Sequence, residues 1–407
     1  MKLLCALLIL LSGQSYAQLL PLRFDTLHVG NEIILEGALD YYGTSVENDL
    51  LSKFIKGGMI TEEIKNSSFD KHKAINRLGA YYGGEIEYRN FNKHIFKKRN
   101  WGFTIKAGYQ GFAGLLYSKD LFGLMMYGNE RYIGSTVDFS GTDLTTMTYQ
   151  KLGLGLIDDR TKSSVSLNFY NVSDYISGDF RTMTIDQDEA GDVMTIEMDA
   201  EVMMRNNAKF NQGFGVGLDL DFRIPVSWGK NREAFLRFQI QNLGFAYMYE
   251  PQKYYRIDTS FTYSGLKFSD FIGDNALLGD TTFSILDTLG IESGTRFATV
   301  MIPGFLQIGK IVDEHYTGKL QSFFGLRLYP TLIYSPYVYA GMDYHPAEWL
   351  RVGINASYGG FGKFRAGLYS DFRFGAYSVG VSSENLLGLF WKKASGQSLF
   401  VRLRCAF

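Results

Sequence analysis

From residue 30 to the last residue of the chain, apolar and polar side chains alternate almost one for one. Ile33, Leu35, Gly37, Leu39 and Tyr41 stand against Glu32, Ile34, Glu36, Ala38 and Asp40. Val216, Leu218, Leu220 and Phe222 stand against Gly217, Asp219, Asp221 and Arg223, and Leu399, Val401, Leu403, Cys405 and Phe407 against Phe400, Arg402, Arg404 and Ala406. A period of two means β-strands whose two faces meet different solvents. About fourteen segments carry it: 30–41, 73–90, 100–113, 144–157, 162–171, 210–223, 234–246, 295–311, 319–330, 334–345, 348–357, 362–374, 375–385 and 397–407. Each has the roughly 9–11 residues, or more, that a tilted strand needs to cross a bilayer. The pattern predicts an all-β fold, a transmembrane antiparallel β-barrel of about 14 strands, with the first segment paired to the last.

The connections alternate in length as such a barrel requires. Asp158–Thr161, Pro225–Arg232, His345–Glu348 and Arg373–Tyr377 are short and polar, whereas 42–72, 114–143, 172–209 and 247–294 are long. An even strand count returns both ends to one side, the periplasm, and puts the long connections outside. Leu50, Leu51, Phe54 and Ile55, then Ile60 and Ile64, predict short helices broken at Gly57-Gly58, folded back to narrow the barrel mouth. Thr182–Glu201 reads as a hairpin turning near Glu189–Asp192, and Leu266–Leu289 as a second helical cap.

Composition changes this picture little. Glycine (45) and aromatics (15%) are abundant and proline (7) is scarce, as expected of many strands. A formal net charge of −1 leaves no basic footprint for nucleic acid. Met1–Ala17 has the charged start, short apolar run and Ser-Tyr-Ala end of a cleaved signal peptide. The expected layout is a signal peptide over 1–17 and an outer-membrane barrel over 18–407, in a Gram-negative envelope. The one mature cysteine, Cys405, closes no disulfide and reads as a small apolar residue of the outer face.

Candidate chemistry is sparse. His28, His72, His94, His315 and His345 are scattered, with no metal-ligand spacing. Gly213-Phe-Gly-Val-Gly217 continues into a strand rather than a helix, so it lacks the N-terminus that would hold a phosphate. No nucleophile elbow or Walker sequence occurs. The expectation is a non-enzyme without cofactor or metal. The charges on the inward face are more informative: Glu32, Glu36, Glu85, Glu87, Lys106, Asp219, Asp221, Arg223, Arg237, Arg327, Asp343, Arg351, Arg365, Asp371, Arg373, Arg402 and Arg404. They form either a paired network filling the lumen or a selective polar pathway, and the similar number of both signs favours the network.

Two stretches carry a resemblance. Leu121-Phe-Gly-Leu-Met-Met-Tyr-Gly-Asn129, followed by Gly134-Ser-Thr-Val-Asp-Phe-Ser-Gly-Thr142, with Tyr149–Gly155 and Gly396–Phe407, resembles a family of Bacteroidota outer-membrane proteins of unknown function, the DUF5723 type. That family is grouped loosely with FadL-like fatty-acid porins and PorP/SprF-like barrels. The resemblance implies fold and location but no catalytic residues. The chain departs from fatty-acid porins in lacking an N-terminal Asn-Pro-Ala element. The closing strand resembles the C-terminal signal by which barrels are recognised for assembly, with Leu403, Cys405 and Phe407 as its residues. The expected partners are outer-membrane lipid, the barrel-assembly machinery and, from the PorP/SprF likeness, secretion or surface-apparatus proteins. The functional expectation is a passive channel for small or hydrophobic solutes; the alternative is a non-conducting structural or docking barrel.

Overall fold

A computed structural model of the protein describes residues 25–92, 100–207, 209–227, 233–263, 290–312 and 318–407. The segments 1–17 and 266–289, His94, His315 and part of Pro225–Arg232 lie outside the described residues. The first strands are β1 (Asn31–Gly43), β2 (Ile75–Asn90), β3 (Trp101–Ser118), β4 (Thr136–Asp138), β5 (Thr142–Asp158), β6 (Ser164–Gln187), β7 (Met194–Arg205) and β8 (Gly213–Ser227). They continue as β9 (Glu233–Tyr263), β10 (Glu292–Met301), β11 (Phe305–Ile311), β12 (Leu320–Leu328), β13 (Ser335–Ala347), β14 (Leu350–Gly360), β15 (Phe364–Phe374), β16 (Tyr377–Ser383) and β17 (Gln397–Ala406). Among the described residues, four α-helices join them: α1 (Asn48–Lys56), α2 (Glu62–Lys71), α3 (Lys119–Tyr127) and α4 (Leu386–Phe390).

The 17 described strands form one antiparallel sheet that closes on itself. β1 pairs with β17 from Glu32↔Ala406 to Tyr41↔Gln397 and with β2 from Asn31↔Asn90 to Gly43↔Leu78. Closure leaves no unpaired edge, as a sheet in hydrocarbon requires. Three of the 17 are continuations rather than new wall positions. β4 prolongs β5 along β6, β7 stands above β8 between β6 and β9, and β10 stands above β11 beside β9. Pro303, which has no backbone N–H, lies in the break between β10 and β11. The barrel therefore has fourteen strand positions, the number the alternation predicts.

The faces follow the pattern. Val216 and Phe222 are exposed while Asp219 and Arg223 are buried, and Ile33 and Leu39 are exposed while Glu32 and Asp40 are buried. Apolar outside and charged inside is inverted from a soluble protein and is the arrangement of a transmembrane barrel. Both ends of the described chain meet at one rim, where Asn31 and Phe407 exchange backbone hydrogen bonds. The long connections and all four helices lie at the opposite, loop rim.

Several expected loops prove to be strand. β6, β7 and β9 run well past the apolar band as an extended ladder, and the 182–201 hairpin is its tip. The helix expected in 47–64 is α1, but its apolar stripe is only half used. Leu50 is fully buried against Tyr117 and Phe122, whereas Phe54 and Ile55 are exposed. α1 is held by its first turn, where the Asn48 and Asp49 backbone N–H groups donate to Ala394 and Lys392 oxygens, so its last turn projects outward.

Candidate functional site: a lumen closed in three layers

The layer nearest the terminal rim is ionic. Glu32 receives Arg404 at 2.6 Å and Arg89 at 3.4 Å, Arg89 also reaches Glu87 at 2.7 Å, and Arg402 pairs with Glu36 at 2.5 Å. Asp221 lies between Arg223 (2.9 Å) and Arg237 (2.8 Å). Asp219 receives both Lys106 and Lys151 at 3.3 Å, and Lys151 also holds Glu85 at 2.6 Å. A bulge in the β8–β9 pairing at Leu218/Leu220 and a left-handed Asn242 (φ 56°) turn the Asn242 N–H onto Asp219 Oδ1 at 2.8 Å. The cavity among them measures about 90 Å³ and is bordered by Glu36, Glu85, Glu87, Asp219 and Asp221 against Arg89, Lys106, Arg237, Arg327 and Arg402. Acids and bases are equal in number, so the cavity has no excess charge with which to select an ion by sign.

Above it sits a polar belt. Tyr149 donates to Gln110 Oε1 at 2.6 Å, Asn242 Nδ2 reaches the same oxygen at 2.9 Å, and Tyr81 reaches it at 3.3 Å. On the other wall Arg327 donates to Gln307 at 2.7 Å and lies over the Phe305 ring. Arg365 pairs with Asp40 at 3.0 Å and lies over Tyr42, while Tyr337 donates to Glu384 at 2.9 Å. Apart from this belt, near the terminal rim, Asp343 is buried with Arg351 and with His345 at 3.0 Å.

The second layer is aromatic, and two connections build it by folding inward. Tyr329, Ile333 and Tyr334 of the β12–β13 connection and Phe361 of the β14–β15 turn are buried with Tyr42, Tyr81, Phe112 and Tyr337. Tyr334 packs on Tyr329 with ring centroids 4.4 Å apart and on Phe361 at 5.0 Å. The inserted side chains seat on a window in the far wall, where Gly79 of β2 is paired with Gly114 of β3. A Cβ on Gly114 would stand 2.5 Å from Ile333 Cγ2, and one on Gly79 would overlap the Phe361 ring. Two glycines side by side open a socket that no other residue pair leaves.

The outermost layer is the helical cap. Leu50, Tyr117 and Phe122 form its core, with Ile60, Ile64 and Phe69 against it. His72 lies in it, stacked on Phe122 with centroids 3.9 Å apart. Its Nδ1 is 2.7 Å from Ser68 O and its Nε2 is 3.0 Å from Tyr117 Oη. A carbonyl only accepts, so Nδ1 carries the proton and Nε2 accepts from the tyrosine, which is the neutral tautomer. Burial pushes this imidazole down to about 4.

Of the inward charges read from the sequence, the lumen brings together Glu32, Glu36, Glu85, Glu87, Lys106, Asp219, Asp221, Arg223, Arg237, Arg327, Arg402 and Arg404. Asp343 and Arg351 pair separately, Asp371 is buried on β15, and Arg365 belongs to the polar belt. Arg373 lies at the terminal rim and is exposed, beyond the enclosed part. Sequence reasoning missed Asp40, Arg89, Lys151 and Glu384. Asp40 and Arg89 sit on the inward alternation and could have been found there. Lys151 follows the irregularity at Thr148/Tyr149, and Glu384 lies past the end of β16, where the period stops. Among the described residues no group of three or more His, Cys, Asp or Glu is placed to hold a metal.

Residues 41–163 match DUF5723, a family of unknown function. The matched stretch includes α1–α3, the β2–β3 glycine window and Lys151, so it spans the cap, part of the aromatic layer and one wall of the ionic layer. No curated protein matches the chain. Among solved structures it is similar to the toluene transporter TodX of P. putida, with 10% identity, 93% of this chain and 90% of that chain covered and a TM-score of 0.41. A TodX deltaS2S3 mutant, a monoaromatic hydrocarbon channel, gives 9% identity, 93% and 91% coverage and a TM-score of 0.44. The translocator domain of the autotransporter NalP from Neisseria meningitidis gives 9%, 93%, 88% and 0.31.

Proposed function

We propose that the protein is an outer-membrane barrel of the channel class that is closed at rest, and that a small or hydrophobic solute passes only when the β12–β13 connection leaves the lumen. The observation that carries this reading is the insertion of Ile333, fully buried, onto the Gly79–Gly114 window. The insert is a connection rather than a wall strand, so it can withdraw without breaking the barrel's hydrogen-bonded ring. Its aromatic lining suits an uncharged solute better than an ion. Such a barrel carries no catalytic chemistry. Export by a cleaved 1–17 segment and assembly through Leu403, Cys405 and Phe407 belong to the same proposal.

The test is conductance in a planar bilayer. The natural protein should show little or no steady current, and replacing Tyr329–Tyr334 by a short Gly-Ser turn should open discrete conducting events. A second reading rests on a different observation, the charge-balanced ionic layer. If the replaced connection leaves the barrel sealed, that layer is the true floor, and the protein is a structural or docking barrel for a surface apparatus. Opening only after the further change Arg402→Ala would support that outcome.

A further inference from the structure

Strand β16, Tyr377–Ser383, has only 7 residues, the fewest at any single crossing position among the described residues. At ~3.4 Å per residue and a tilt of ~40°, it covers roughly 18 Å along the barrel axis, short of the ~25 Å apolar band of such barrels. The wall at this point lacks height at the loop rim. The segment that follows is α4 and its exit, Leu386–Trp391, which occupies that place.

This segment presents apolar side chains outward. Leu387, Leu389, Phe390 and Trp391 are all exposed, Phe390 to 83%. They continue the exposed face of the strands beneath, where Val381 and Leu399 also point outward. Much of the segment's backbone is tied to its neighbours. Gly388 O accepts from Asn48 Nδ2 at 3.0 Å and Gln397 Nε2 at 3.1 Å, and Gly396 O accepts from Asn48 at 3.2 Å and Asn385 at 2.9 Å. Trp391 N–H closes onto Leu387 O at 2.9 Å, and Lys392 O and Ala394 O accept from the backbone of α1. Non-strand backbone tolerates hydrocarbon only when its polar groups are satisfied inside the protein. In water the same side-chain sealing would be unnecessary and the apolar display would be costly.

We propose that Leu386–Trp391 is a lipid-embedded knuckle that completes the short β16–β17 wall, with acyl chains against Phe390 and Trp391 and the exposed Lys392 and Lys393 on the anionic headgroups of the same leaflet. The occupant is membrane lipid, because the patch is continuous with the lipid-facing band and ends in two cations at headgroup height. The inference rests on the transmembrane reading of the barrel.

The test is quenching of tryptophan fluorescence by lipids brominated on their acyl chains, in vesicles holding the full-length protein. The difference between the natural protein and Trp391→Phe isolates one of the 4 tryptophans. That difference signal should be quenched by brominated chains and shielded from acrylamide. It should be quenched more by brominated phosphatidylglycerol than by brominated phosphatidylcholine, and Lys392→Gln/Lys393→Gln should abolish this preference. Quenching by acrylamide alone overturns the proposal, and equal quenching by the two lipids overturns its headgroup part. Leu368→Trp in the Trp391→Phe background separates the two levels, since Leu368 is exposed mid-wall on β15. If the indole introduced by Leu368→Trp is quenched by brominated lipid and Trp391 is not, the knuckle fails and the barrel reading stands. If neither is quenched, the barrel reading itself fails. A heat-dependent gel shift confirms that each variant is folded.

Discussion

The two closed layers of the lumen are built by opposite means. The ionic layer is made of wall residues: each charge sits on a strand and meets its partners on the same strand or on nearby strands of the wall. The aromatic layer is made of visitors: Tyr329, Ile333, Tyr334 and Phe361 come from connections and dock on a glycine window across the barrel. The first is tied to the barrel's covalent frame and cannot leave without unfolding. The second is held by packing and by one hydrogen bond from the wall, Arg77 Nε donating to Leu332 O at 3.2 Å. A fixed ionic constriction and a removable plug therefore coexist in one tube, and the plug faces the loop rim.

The largest effect should come from attacking the fixed layer. Asp219→Ala removes the carboxylate shared by Lys106 and Lys151 and leaves two buried ammonium groups with Glu85 and Glu87 as their remaining anions. Losing one partner of a buried ion pair costs roughly 3–5 kcal/mol. Urea unfolding of the folded barrel should show that loss. A change below about 1 kcal/mol would mean that water in the cavity already screens the network.

The helical cap should respond to mildly acid pH through His72. The folded His72 has its imidazole pushed down to about 4, below the ordinary value of ~6.5. The stability it contributes is therefore complete above pH ~6.5 and is lost as pH falls from ~6.5 to about 4, by about 3 kcal/mol. Protection factors in α2 and α3, with the intrinsic pH dependence of amide exchange divided out, should fall across that window, and His72→Phe should flatten the response. Protection that does not change with pH would place the imidazole in water.

The smallest expected effect sharpens the removable layer. Gly114→Ala forces a methyl against Ile333, and overpacking of this kind costs roughly 1–3 kcal/mol. It should raise the frequency of conducting events, and adding Ile333→Ala should restore closure by giving the methyl room. If the double variant conducts as often as the single one, the window is not the seat of the insert.

Much of the frame was legible in the chain. Alternation such as Leu218/Asp219/Leu220 reports burial residue by residue because a strand offers only two faces, and it marked the strand positions, the closing pair and most of the ionic layer. What escaped were features that two-fold periodicity does not encode. Ile333 lies in a connection, so no period assigns it a side. Gly79 and Gly114 become a window only through their register, which depends on a pairing between distant segments. Phe54 and Ile55 were expected to be covered because they share a stripe with Leu50, but α1 is anchored by its first turn, and two turns of helix cannot bend the last one down. β10 and β11 read as a single segment over 295–311, since Ile302–Gly304 is as apolar as its flanks, although the inward parity shifts across it from Val300 and Ile302 to Phe305 and Gln307.

The seam between β1 and β17 has a consequence in time. Arg402 and Glu36 are separated by 366 residues along the chain, and Arg404 and Glu32 by 372. These are among the least local contacts the chain can make, and such contacts form late because the intervening chain must be confined first. Until they form, the barrel is a curled sheet with two open edges of unpaired backbone, which hydrocarbon does not tolerate. The barrel therefore cannot be finished piecemeal within the bilayer. Its edges need shelter until the last strand reaches the first, so closure of this one seam is expected to come last in assembly.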